Sequence, residues 1–175
     1  MSMKIMKKAI VSSIGAAALL GAASAQAQFT TIDPVQSEYT FSGATQLTQF
    51  GVPANCTLNL VGEVVITGSG GVTIDVTGGA VTGSGFGCGS VTLSNFPWTA
   101  NVPASAAPAD PTDPVTVTFE DVSVAGPLGN CGTTDVDAVF SNGDPISEPS
   151  SFDFDATIGA CTVNGILEND DVNVY

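Results

Sequence analysis

Four aspartates in the second half of the chain are the residues whose types and spacing most favour a metal site. Asp135 and Asp137 alternate with apolar residues in one predicted strand, and Asp153 and Asp155 do so in the next. Alternate residues of a strand share a face, so each pair is expected to point outward. In a hairpin of these strands, Asp137 is expected to face Asp153, and the other two aspartates then face each other. Four crowded carboxylates predict a Ca²⁺ site; the alternative is a solvated acidic face that is screened by salt.

Few other side chains in the sequence could support catalysis. The chain has no histidine, so neither a Ser-His-Asp nor a Cys-His arrangement can form. Paired carboxylates, the arrangement of glycosidases, remain, but 17 acidic residues supply many accidental pairs. The single tryptophan, Trp98, follows an apolar segment, so we expect it in the core near a disulfide and not on a sugar-binding surface. The sequence therefore predicts a protein that is not an enzyme and requires no cofactor.

Residues 1–27 are predicted to be a signal peptide. Lys4, Lys7 and Lys8 form a basic segment, and residues 9–23 form an apolar run that is too short to span a bilayer. Small residues at 23–25 and at 25–27 offer two cleavage patterns, of which the second leaves Gln28 as the first residue. The later sequence contains no run of about 18 apolar residues, the length that a membrane span needs. We expect a secreted protein, either extracellular or at the cell surface, without a transmembrane segment.

The charge of the exported part limits its partners. The three lysines of the predicted signal peptide are the only basic side chains, and all 17 acidic residues follow them. The exported chain therefore carries a side-chain charge of about −17 near neutral pH. Nucleic acid and anionic membranes would repel it, because phosphate binding depends on Lys and Arg. Cations, apolar small molecules and copies of the chain itself remain as partners.

The cysteines expose an internal repeat. An Asn-Cys pair occurs at 55–56 and again at 130–131; Cys88 follows Cys56 by 32 positions, and Cys161 follows Cys131 by 30. This spacing predicts two half-repeats, at about 38–100 and 115–175, within one domain that spans 28–175. The Pro- and Ala-rich segment at about 103–114 is expected to be a plain exposed connector between them.

Four cysteines in an exported chain predict two disulfides. Zinc fits poorly, because the sequence has no Cys-x-x-Cys pair and no histidine. Equivalent halves favour the pairs Cys56–Cys88 and Cys131–Cys161, and the other two connectivities stay open.

Period-two alternation of apolar and polar side chains indicates the fold class. Val72, Ile74 and Val76 are separated by polar residues. The same pattern recurs at 58–66, 115–119, 135–140 and 152–156. Half-buried strands rich in Val and Thr, separated by Gly clusters, predict an all-β antiparallel sandwich or barrel.

Several short segments, together with the cysteine framework, resemble a known family. They are Thr40-Phe41-Ser42-Gly43, Phe96-Pro97-Trp98, Pro127-Leu128-Gly129-Asn130-Cys131 and Cys161-Thr162-Val163-Asn164-Gly165. The chain is similar over nearly all of 28–175 to the secreted protein activators of alkane oxidation. It departs from them at Phe96, where Leu is expected, and in the acidic Pro-rich insertion around 110–114. The resemblance implies a small extracellular protein associated with growth on hydrophobic carbon sources, and it carries over no catalytic residue.

Two functions fit these observations. The first is a structural protein of the cell surface or matrix, which assembles with copies of itself, for example into filaments. The alternative is an extracellular accessory protein that binds or disperses apolar substrates such as alkanes, and it requires an apolar cavity or an exposed apolar patch.

Overall fold

The computed structural model describes residues 27–175, so the predicted signal peptide lies almost wholly outside the described residues. Eleven β-strands and two single-turn 3₁₀ helices, at Cys88–Ser90 and Ala104–Ala106, form this part of the chain. The strands are β1 (Ile32–Asp33), β2 (Tyr39–Gln49), β3 (Val52–Ile66), β4 (Val72–Thr82), β5 (Thr92–Ser94), β6 (Trp98–Val102), β7 (Val115–Gly126), β8 (Gly129–Ser141), β9 (Ser150–Ile158), β10 (Cys161–Asn169) and β11 (Asn173–Val174). No helix among residues 27–175 is long and apolar enough to cross a membrane.

Nine strands form one antiparallel sheet, in the order β5-β7-β8-β9-β10-β2-β3-β4-β6. The sheet curls, so that β6 at one end of this order comes within 8 Å of β7 near the other, measured between Cα atoms. Residues 92–102 close the curl, because β5 pairs with β7 and β6 pairs with β4. The chain changes partner between Ser94 and Trp98, and the predicted all-β antiparallel fold is confirmed.

Alternation along each strand places one set of side chains inside the curl. In β7, Val115 and Val117 are buried, whereas Thr116 and Thr118 are exposed. The buried side chains of β2, β4, β6, β7, β8, β9 and β10 meet in two apolar clusters that fill the interior. Burial of this apolar surface is the main source of stability, because no basic side chain is present among residues 27–175 to pair with the carboxylates.

One end of the curled sheet is covered by the segments at the two ends of the described residues. Strands β1 and β11 form a small antiparallel sheet there. The buried side chain of Asn142 donates to the carbonyl oxygens of Val174 (2.7 Å) and Pro111 (2.8 Å) and accepts from the Val174 N–H (2.7 Å). The side chain of Asn173 likewise accepts from the Gly143 N–H (2.8 Å) and donates to the Ile146 carbonyl (2.7 Å). Two buried amides thus hold the C-terminal strand, the β8–β9 loop and the 103–114 segment together.

Both disulfides lie near the opposite end. Cys56 bonds to Cys88, and Cys131 bonds to Cys161. The first bond joins β3 to the 3₁₀ turn that follows β4, and the second joins β8 to the start of β10. Each bond therefore stays within one of the two half-repeats that the cysteine spacing predicts. The halves diverge after their second cysteine, because β10 continues unbroken where the first half divides into β5 and β6.

Candidate functional site

An apolar cavity of about 120 Å³ lies inside the curled sheet. Both halves of the chain line it, among others through Phe41, Leu60, Trp98, Val136 and Phe152. No lining residue carries a charge. An apolar cavity of about 150 Å³ is known to stay dry and to admit benzene, so this one has the size and the chemistry for a small apolar molecule or a short alkyl segment.

The polar atoms of Trp98 and Tyr39, which line the cavity, have hydrogen-bond partners within the protein. The indole N–H of Trp98 donates to the Ser94 carbonyl at 2.8 Å. The Tyr39 hydroxyl donates to the Pro34 carbonyl at 2.9 Å and accepts from the Gln36 N–H at 2.8 Å. Both rings therefore present apolar surface to the cavity. The two polar lining residues, Thr45 and Gln46, donate to the Cys56 carbonyl and to Oδ1 of Asn55.

Aromatic packing defines two regions of the cavity wall. Phe152 contacts Phe41, Phe119 and Phe140, with ring centroids 4.9, 5.7 and 5.0 Å apart. Phe96 stacks on Trp98 with a centroid distance of 4.5 Å. Trp98 is 4% exposed and lies in the same apolar cluster as Cys131 and Cys161, so the prediction of a core tryptophan near a disulfide is confirmed.

Three large apolar side chains stand exposed in the turns at the disulfide end. Phe50 is 75% exposed in the β2–β3 turn, Phe86 is 69% exposed before the 3₁₀ turn, and Leu128 is 50% exposed in the β7–β8 turn. Sequence reasoning missed these residues as candidates. The signal was a large apolar residue beside glycine in each of three predicted turns, where polar residues are usual.

The four aspartates of the predicted Ca²⁺ site are all exposed, but the facing arrangement is wrong. Asp153 pairs with Val139 rather than with Asp137, which is a shift of two residues. A shift of two preserves the face of each side chain and changes its neighbour, because side chains alternate with period two.

Two of these aspartates have other partners. Asp137 accepts a hydrogen bond from the Thr118 hydroxyl at 2.6 Å, and Asp135 accepts one from the Asp121 N–H at 3.0 Å. Within residues 27–175, no three acidic, histidine or cysteine side chains are close enough to hold a metal ion together. The described residues therefore give the predicted calcium site no support.

A polar groove lies at the end of the sheet that β1 and β11 cover. Its volume is about 470 Å³, and its lining includes Glu38, Glu168, Asp170 and Asp171. In the 103–114 segment, Asp110 accepts hydrogen bonds from the backbone N–H (3.0 Å) and the hydroxyl (2.9 Å) of Thr112, and these bonds lower the pKa of Asp110. This end of the molecule is thus acidic and polar, in contrast to the apolar interior.

The chain was compared with protein families, with curated proteins and with solved structures. The model of the alkane oxidation protein activator PraA/PraB-like family matches residues 3–174. The chain belongs to this family. No curated protein and no solved structure matches the chain. Family membership confirms the resemblance seen in the short motifs, and the family description names an activator of alkane oxidation rather than a catalyst.

Proposed function

We propose that this member of the alkane oxidation activator family is an extracellular, non-catalytic accessory protein that binds apolar molecules such as alkanes. The interior cavity is the observation that carries the proposal, since its lining is mostly apolar, carries no charge and draws on both halves of the chain. The family description supports the same direction. Export through a signal peptide would place the protein where insoluble substrates occur.

Self-assembly into a structural material has less support. Strand addition needs an exposed edge with unpaired backbone groups. Here the end strands β5 and β6 belong to one segment, and β6 lies alongside β7. Binding of apolar molecules is therefore better supported than the structural role that the sequence also predicts.

Ligand-induced stabilisation tests the proposal. Benzene, which is soluble enough for titration, is expected to raise the thermal midpoint of the oxidised protein with increasing concentration, because it binds the folded state alone. At about 100 times its dissociation constant it would add roughly 2.7 kcal/mol. For a domain of this size each kcal/mol corresponds to about 2–4 °C in the midpoint.

A variant that fills the cavity supplies the control. Ala138 lines the cavity and is 4% exposed, so Ala138→Leu would occupy part of the space and abolish the benzene shift. Val136→Leu is the milder variant at the same wall if Ala138→Leu does not fold. Ile166→Thr, on the outer surface at 49% exposure, should keep the full shift. Equal shifts in all four proteins, or none in the unmodified protein, would overturn the proposal.

A further inference from the structure

The four connections at the disulfide end of the sheet are free of charge, and we call them the turn end. They comprise residues 49–52, 83–91, 126–129 and 158–161, and none of the 17 acidic residues lies in them. At the opposite end, the segments 33–38, 103–114, 142–149 and 168–171 hold Asp33, Glu38, Asp110, Asp113, Asp144, Glu148, Glu168, Asp170 and Asp171. One end of the molecule is therefore strongly acidic, and the other is neutral.

The turns that carry the exposed apolar side chains of the turn end contact one another. The buried side chain of Gln49 joins two of the turns, because its Nε2 donates to the Gly129 carbonyl (3.1 Å) and its Oε1 accepts from the Leu128 N–H (2.9 Å). The loop that carries Phe86 packs against the same turn, since a Cβ added at Gly87 would lie 2.8 Å from Cγ of Pro127. The three turns that carry Phe50, Phe86 and Leu128 are thus held next to one another.

Phe50 adopts a backbone conformation that its residue type disfavours. Its φ is +51°, and φ of the following Gly51 is +81°, which are the left-handed values that a two-residue hairpin turn of type I′ requires. Asn, Asp or Gly usually fills the first of these positions, and a bulky residue there is a true outlier. The fold gains little from this side chain, which remains 75% exposed. An aromatic residue at this position is therefore explained better by a contact outside the molecule.

We propose that the turn end is the face by which the protein adsorbs to the surface of an apolar liquid, such as a hydrocarbon droplet, while the acidic end stays in water. This inference rests on the proposed function and adds that the protein meets its apolar substrate as a liquid surface. Charge separation along the molecule supports this occupant, because burying the neutral end in hydrocarbon desolvates no carboxylate. An anionic membrane fits poorly, since residues 27–175 offer it no basic side chain.

A second copy of the chain explains this exposed face less well than a liquid surface does. The exposed parts of three side chains amount to roughly 350 Å², whereas a stable dimer buries about 800 Å² on each partner. A liquid surface requires no matching shape and no minimum footprint, so three projecting side chains are enough to anchor the protein there.

Partition onto hexadecane droplets tests the inference. The turn-end variant is Phe50→Asn with Phe86→Ser and Leu128→Ser. The wall variant is Val65→Thr with Val139→Thr and Ile166→Thr, three side chains that are 53%, 40% and 49% exposed on the strands. A third control is Val35→Ser at the acidic end, where Val35 is 83% exposed. We expect the turn-end variant to lose at least about tenfold in partition coefficient, and both controls to stay within about twofold of the unmodified protein.

The other outcomes overturn the inference. Unchanged partition of the turn-end variant, or an equal loss in the wall variant, would mean that adsorption is not a property of this end. If sedimentation shows a dimer that only the turn-end variant dissociates, the occupant is a second copy. Circular dichroism must show that each variant is folded, and the Phe50→Asn single variant, which relieves the turn, is the fallback for comparison. Benzene stabilisation reports on the cavity alone, so failure there with intact droplet binding would reject the proposed function separately.

Discussion

The two ends of this curled sheet are built in opposite ways from the same strands. At the turn end, the connections are mostly short, both disulfides lie nearby, and the exposed residues include two phenylalanines and a leucine. At the acidic end, the connections are longer, two buried asparagines hold them together, and carboxylates crowd the surface. Two disulfides and the Gln49 amide fix the neutral end, and the amides of Asn142 and Asn173 fix the acidic one.

This difference shows how a protein whose described residues carry no basic side chain can still contact an apolar phase. Carboxylates keep the protein soluble and repel other copies, provided that they remain in water. The connections that carry carboxylates lie at the acidic end. The turn end can therefore contact an apolar phase without removing a carboxylate from water. Sequence order hides the separation, because the connections of both ends alternate along the chain.

The largest expected effect comes from loosening the turn end. Replacing Cys131 and Cys161 by serine opens a 30-residue loop in the unfolded chain and should lower the free energy of unfolding by about 3–4 kcal/mol in the chain-entropy model. Unfolding in guanidinium chloride, with the oxidised protein as reference, measures the loss. A loss below about 1 kcal/mol would show that packing alone holds this end.

A smaller effect is expected at the acidic end. Asn142→Ala leaves the Val174 N–H and two carbonyl oxygens without their amide partner, which should cost about 1–3 kcal/mol. Asn101→Ala is the control, because this exposed amide accepts only from the Thr73 hydroxyl and its loss should cost less than about 0.5 kcal/mol. Urea unfolding of both variants would contradict the assignment if their midpoints fell equally.

Phe50→Asn should separate stability from function. The variant suits the left-handed turn position better, so the free energy of unfolding should rise by up to about 1 kcal/mol while droplet binding falls. Phe86→Ser removes a similarly exposed side chain from a residue whose backbone φ is not positive. The free energy of unfolding of this variant should stay within about 0.5 kcal/mol of that of the unmodified protein. A destabilised Phe50→Asn would mean that the ring contributes to the fold.

The smallest effect concerns Asp110. Its folded-state pKa is lowered by the hydrogen bonds from Thr112, so the ionised carboxylate stabilises the fold above its unfolded pKa, and this stability is lost as the pH falls through the folded pKa. Asp110→Asn should therefore melt slightly earlier than the unmodified protein at pH 7, and this difference should vanish as the pH falls through the folded-state pKa of Asp110. Because Asp110 lies exposed at the acidic end, droplet binding should not change. A difference in melting that grows as the pH falls would contradict this sign.

Local patterns in the sequence predicted the strands and the number of disulfides, because alternation and cysteine parity are properties of neighbouring residues. Strand β4, with Val72, Ile74 and Val76 inside, is a clear case. The predicted pairing of the aspartates across β8 and β9 was wrong because the β8–β9 loop is long, and only short hairpin loops fix the register of two strands. Ser141 pairs with Ser151, and this pairing sets Asp153 opposite Val139.

The cavity and the turn end could not be predicted from local patterns. The cavity exists because residues 92–102 close the sheet by pairing with β4 and β7, which are distant in sequence. The turn end depends on Gln49, a polar residue in an otherwise ordinary strand, whose side chain is buried and reaches across to 128–129. Both features result from tertiary contacts that no single segment encodes.

Hydrogen exchange of the unmodified protein, free in solution and adsorbed on hexadecane droplets, tests the opposed roles of the two ends most directly. Adsorption through the turn end should slow exchange in peptides that cover residues 49–52, 83–91 and 126–129, and should leave residues 103–114 and 142–149 as they are in solution. Slower exchange at 103–114 and 142–149, or uniformly over the chain, would contradict adsorption through the neutral end.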